Sequence, residues 1–125
     1  MDLIAGIRDV FGERGLDKLI DRRTEIQGAE YRRALAGAAT LREKVRRLTR
    51  LRTEAGYMAS FEATPDGFRL IENHCPVCRA ARACTGLCRQ ELEAFQAALG
   101  PDVVITRTDH ILSGARRCAY TIRRK

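Results

Sequence analysis

Five cysteines stand in this chain of 125 residues, and four of them, Cys75, Cys78, Cys84 and Cys88, lie close together. Cys118 follows with 29 residues between, so the spacing is C-x2-C-x5-C-x3-C-x29-C. Thiolates are preferred ligands of soft metals and of iron–sulfur clusters. Such clustering points first to a metal or cluster site and second to a thiol redox switch. Cys75-x2-Cys78 and Cys84-x3-Cys88 look like two zinc knuckles. The five residues between them are few for a zinc module, and that arrangement leaves Cys118 unused. Zinc is therefore the competing guest. Cys75-Pro76-Val77-Cys78 also has the form of a redox dithiol, but such a motif belongs after a strand of a βαβ unit. The segment before it reads as half of a hairpin. No P-loop, paired catalytic carboxylates or Ser/His/Asp set stands out, and the chain is not expected to be an enzyme.

The neighbours of the thiols refine this picture. Pro76 suits the first turn of a helix, where its missing N–H is no loss, and a helix N-terminus favours thiolate. Cys84 and Cys88 differ by four and share a face if that stretch is helical. His74 adjoins Cys75 but is expected to hydrogen-bond or face water, and His110 to serve a turn. Glu91, one turn beyond Cys88 on the same face, has the chemistry of an oxygen ligand or of a hydrogen-bond partner to one. Its simplest reading is a surface acid.

The elements that must position these residues follow from periodicity. Leu3, Ile4, Ile7, Val10 and Phe11 recur at helical spacing, with Gly15 as a stop. Leu16, Leu19, Ile20, Ile26, Tyr31 and Leu35 predict a second helix ending at Gly37. Thr40 and Glu43 form a capping box for a third, carried by Leu41, Val45, Leu48 and Leu51 and closed by Gly56. The period then changes. Residues 57–64 and 68–72 flank Pro65-Asp66-Gly67 as strand, turn, strand. After the cysteines, Leu87, Glu91, Leu92, Phe95, Ala98 and Leu99 predict a helix stopped at Gly100-Pro101. Val103–Thr106 and Cys118–Ile122 read as a last pair of strands, with a fraying tail, Arg123-Arg124-Lys125. Tyr57, Phe61, Phe68, Phe95 and Tyr120 read as core. The expected fold is α+β: N-terminal helices, then two β-hairpins flanking a helix, with an antiparallel sheet. Residues 1–125 form one domain, of which 1–54 is the helical, dimerising part and 55–125 the cysteine-bearing part.

Charge and composition narrow the partners. The net charge is +7, spread over both halves, with one dense basic segment from Arg42 to Arg52. That segment reads as a solvated helix face, with phosphate contact as the lesser alternative. No apolar run approaches the roughly 18 residues of a membrane span. Acids and a base interrupt the N-terminal apolar stretch, so no secretory signal is expected. Unpaired, metal-binding thiols in the cytoplasm fit better than disulfides.

Four segments together resemble a known family. They are Glu54-Ala55-Gly56-Tyr57-Met58, Asn73-His74-Cys75-Pro76, Cys88-Arg89-Gln90-Glu91-Leu92, and the run from Arg107 through His110, Gly114 and Cys118 to Tyr120. They look like the C-terminal sensor domain of the Suf-operon repressor (SufR) type, bacterial DeoR/ArsR-like winged-helix regulators of iron–sulfur cluster assembly. The resemblance covers about residues 1–122. It implies a redox-sensitive iron–sulfur cluster, a homodimer, and DNA binding through a winged helix-turn-helix that is absent from this chain. The family's C-x12-C spacing falls on Cys75 and Cys88 and its later cysteine on Cys118, which implies those three as ligands. Cys78 and Cys84 are extra to that pattern and are candidates for a fourth.

Overall fold

A computed structural model describes residues 3–73, 86–109 and 117–125, with only the backbone for 86–88. The chain runs α1 (Leu3–Leu35), α2 (Leu41–Glu54), β1 (Ala59–Thr64), β2 (Gly67–Glu72), α3 (Gly86–Leu99), β3 (Val103–Asp109) and β4 (Cys118–Arg124). The strands form one antiparallel sheet in the order β1-β2-β4-β3. This is the α+β architecture that the periodicity predicts, with the two hairpins side by side.

The first two predicted helices are one helical span, and its break is at Gly12 instead of Gly15. Gly12 has φ 75° and ψ 174°, a region that essentially only glycine enters. Gly15 stays helical, packed so closely on Phe11 that an added Cβ would lie 2.6 Å from the Phe11 Cβ. In α2, Thr40 caps as expected: its hydroxyl accepts from the Glu43 N–H at 3.1 Å. The Glu43 carboxylate instead takes Arg46 and Arg47.

Helices α2 and α3 cover one face of the sheet, and α1 packs across both. Cross-strand register builds the sheet's inner face in rows. Ala59, Glu72 and Cys118 form the first; Phe61, Leu70, Tyr120 and Arg107 the next; Ala63, Phe68, Ile122 and Ile105 the third. Leu70, Tyr120 and Ile122 are buried there against Val45, Leu48, Phe95 and Leu99. Large apolar side chains of this kind contribute about 1.5–3 kcal/mol each when fully buried. Gly67 is required by close approach: a Cβ there would stand 2.1 Å from the Ile122 carbonyl oxygen.

The predicted fraying tail is structured. Arg123 and Arg124 pair with Val104 and Val103, and the Lys125 N–H donates to the Asp102 carbonyl at 2.9 Å. The backbone donors and acceptors of the tail are satisfied by the neighbouring strand, which outweighs the repulsion of three exposed cations.

Candidate metal centre

The topology gives the sheet two distinct ends. At one, α3 finishes, β3 begins and β4 finishes; Lys44 Nζ donates to the Leu99 carbonyl there at 3.2 Å. At the other, β2 finishes, β4 begins and α3 begins. Cys118 opens β4 at this second end, 7% exposed and cross-strand from Glu72. Cys88 is the third residue of α3, one turn ahead of Glu91. Cys75, Cys78, Cys84, His74 and His110 lie outside the described residues. Among the described residues, no group of three His, Cys, Asp or Glu side chains is disposed to hold a metal ion.

Directly behind Cys118 lies a feature the residue pattern concealed. Arg52, in the last turn of α2, is completely buried. Its Nε and Nη2 donate to the two carboxylate oxygens of Glu72 at 2.5 and 3.1 Å. Nη2 also donates to Glu91 Oε2 at 3.3 Å and Nη1 to the Tyr31 hydroxyl at 2.9 Å. Tyr57 donates its hydroxyl proton to Glu91 Oε1 at 2.8 Å. The guanidinium lies 3.4 Å from the Tyr57 ring centroid and 4.7 Å from that of Phe95. A planar cation with a fork of donors suits this arrangement, and a lysine could not reproduce it.

One guanidinium here serves two buried carboxylates, with Arg23 of α1 reaching Glu91 from the rim at 3.5 Å. Burial pushes the Glu72 carboxyl above its ordinary pKa, and the Glu91 charge adds to this, against the pull of Arg52. Burial disfavours the charge on Arg52 too, but the Glu72 hydrogen bond and both carboxylates outweigh it and hold the cation charged. Burial, helped by Glu91, likewise raises the Tyr57 hydroxyl. Breaking such a cluster on one side typically costs about 3–5 kcal/mol.

These residues had a sequence signal that went unread. Arg52 continues the stripe Leu41, Val45, Leu48 by four, and so occupies the buried face of α2 instead of the solvated one. Glu91 precedes Phe95 and Leu99 by four and eight. Glu72 follows Phe68 and Leu70 on the inner face of β2. The surface-acid reading of Glu91 is thus corrected: it is 4% exposed. Three ionisable residues on three apolar faces, all at one end of their elements, are the mark of a buried ion cluster.

Helix α1 is tied to the same end. Gln90 of α3 accepts from the Thr24 hydroxyl and donates to Asp21 at 2.8 Å. The rings of Tyr31 and Phe95 stand 5.8 Å apart. Cys118, the start of α3 and the central part of α1 are therefore joined through one continuous polar and aromatic assembly. No described helix is long and apolar enough to cross a membrane. Comparison with family models, curated proteins and solved structures finds no match to this chain.

Proposed function

We propose that this chain is the effector-sensing and dimerisation domain of a transcriptional regulator, holding an iron–sulfur cluster through Cys75, Cys88 and Cys118, with Cys78 or Cys84 as the fourth ligand. The observation that carries the reading is the common end of the sheet. Cys118 opens β4 beside the last residue of β2, and Cys88 belongs to the first turn of α3. Cys75 follows Glu72 by three residues, and three residues of chain reach at most about 11 Å. The residues between Glu72 and Gly86, which carry Cys75, Cys78 and Cys84, connect the end of β2 to the start of α3, and this supports a shared site at that end.

The donor set fits the guest. Thiolates serve clusters and zinc alike, and the N-terminal turn of α3 supports negative charge at Cys88. Cys118 lies on the buried side of its strand, where water has little access. When bound, a cluster supplies a tie that oxidation can remove. The chain's own contribution is to hold the start of α3 and the start of β4 in fixed relation. Dimerisation through α1 is supported by the exposed Leu3, Val10, Phe11, Leu19 and Ile26. DNA is reached only through a winged-helix domain outside this chain. The setting is the cytoplasm.

Anaerobic purification tests the reading. The expected product is brown, with iron and sulfide bound and broad visible absorbance that Cys75→Ser, Cys88→Ser or Cys118→Ser removes. A colourless protein with stoichiometric zinc supports a dimerisation module without sensing. A colourless, metal-free protein after reconstitution with iron and sulfide rejects ligation altogether.

A further inference from the structure

We propose that Arg52 is the positioning residue through which the state of the cysteine-bearing end is passed to helix α1. The inference rests on the ligation reading above and adds the route of its regulation. Two strands and a helix meet at that end, and Arg52 grips the last residue of β2 and the second turn of α3 at once. Glu72, which takes two of its hydrogen bonds, is the cross-strand partner of Cys118. Glu91, which takes a third, follows Cys88 by one turn. The remaining nitrogen, Nη1, donates to the Tyr31 hydroxyl on α1 at 2.9 Å.

The geometry makes these contacts interdependent. A guanidinium is rigid and planar, so a shift of β4 or of the start of α3 that draws either carboxylate away tilts the whole fork. Burial removes water as a substitute partner: Arg52 is fully enclosed and the two carboxylates nearly so. A displaced carboxylate must therefore be followed by the cation, or the cluster is left unsatisfied. Tyr31 feels that movement directly, and Gln27, which donates to the same hydroxyl at 3.0 Å, carries it along α1. The rings of Tyr57 and Phe95, with centroids 3.4 and 4.7 Å from the guanidinium carbon, leave it little room to move independently of the carboxylates. Of the exposed apolar residues assigned to the dimer, Leu19 and Ile26 lie with Tyr31 on the helical piece that follows the Gly12 break. A centre that fixes α3 against β4 thus fixes α1 as well.

The experiment uses the full chain under anaerobic conditions, with Co2+ and then ferrous iron plus sulfide as probes. Amide hydrogen exchange in α1 is compared with and without the probe at matched occupancy, occupancy being read from metal content and the thiolate absorption bands. In the wild type, loading is expected to slow exchange around Gln27–Tyr31 by roughly 5-fold or more, the lower range of ordinary coupling between sites. Tyr31→Phe keeps the ring packing and deletes only the hydroxyl. It is expected to load with the same bands while the response of α1 falls below about twofold. Arg52→Lys, which keeps the charge and loses the fork, is expected to give the same loss of response. An equal response in wild type and Tyr31→Phe, or normal loading with no response of α1 in the wild type, overturns the proposal while leaving ligation intact. A wild type that takes up neither probe overturns ligation and coupling together, and the metal content alone identifies that case.

Discussion

At the scale of single residues, Arg52 decides the character of this fold. A cation with no exposed surface is tolerated only because three acceptor residues and two rings replace water around it. Arg52→Met removes the cation and both hydrogen bonds to Glu72, and leaves Glu91 with Tyr57 and the rim contact of Arg23. Chemical denaturation of this variant should give a loss of about 3–5 kcal/mol. A loss below about 1 kcal/mol would mean that the cluster is solvated and that the buried geometry is wrong. Replacing all three charged residues by apolar ones of similar volume should recover most of the loss, since a buried ion cluster confers little net stability over good packing.

At the scale of elements, what was legible in the sequence followed from changes of period. The alternation before Asp66 and after it marks the first hairpin, and the spacing Leu92, Phe95, Leu99 marks α3. Both formed where expected, because their apolar faces and their turn residues agree. The break in α1 was less legible. Gly12 and Gly15 are equally able to interrupt a helix, and only the packing of Phe11 against Gly15 selects Gly12 as the kink. Arg52 was hidden by its neighbours: among Arg46, Arg47 and Arg50 it reads as one more solvated cation, although its position on the stripe of Leu41, Val45 and Leu48 is a core position. The ordering of Arg123 and Arg124 was illegible for a related reason, since strand pairing with β3 is a long-range fact that local charge opposes. The cysteine spacing raised ligation as an expectation without indicating that β4 would open, and α3 would begin, at the same end of the sheet.

Helix α2 carries a pH dependence of its own. Hydrogen bonds from Arg46 and then Arg47 hold the Glu43 carboxyl at about 2, below its ordinary 4.5. A depressed carboxyl pKa means that the unfolded state binds the proton more readily. The stabilisation is therefore complete above pH 4.5 and lost as the pH falls through about 2. Wild type and Glu43→Gln should differ most in denaturation midpoint above that window and converge toward its acid end. Because Glu43 and its partners are in part open to solvent, added salt should shrink the gap at every pH. A gap that widens on acidification contradicts the assignment.

At the scale of the whole molecule, the core joins two regions to which functions are proposed. One end gathers the start of α3, the start of β4 and the buried ion cluster. The other surface is the apolar face of α1, where Ile7, Phe11, Gly15 and Leu19 line an open groove. Exposed apolar patches of this kind mark interaction surfaces, and a second copy of α1 is the proposed occupant. Phe11→Asp combined with Leu19→Asp should convert a dimer to a monomer in sedimentation equilibrium without changing metal content. Both substituted side chains are exposed, so folding should survive. An unchanged sedimenting mass would place the dimer contact elsewhere or remove it.

The claim on which the account depends is that thiols far apart in sequence bind one inorganic centre at the shared end of β2, β4 and α3. X-ray absorption at the metal edge of the loaded protein tests it most directly. The account predicts a sulfur shell at about 2.3 Å, the distance of metal–thiolate bonds, in the wild type and its loss in Cys118→Ser. A sulfur shell that Cys118→Ser leaves unchanged, or a shell of oxygen and nitrogen alone, would contradict it.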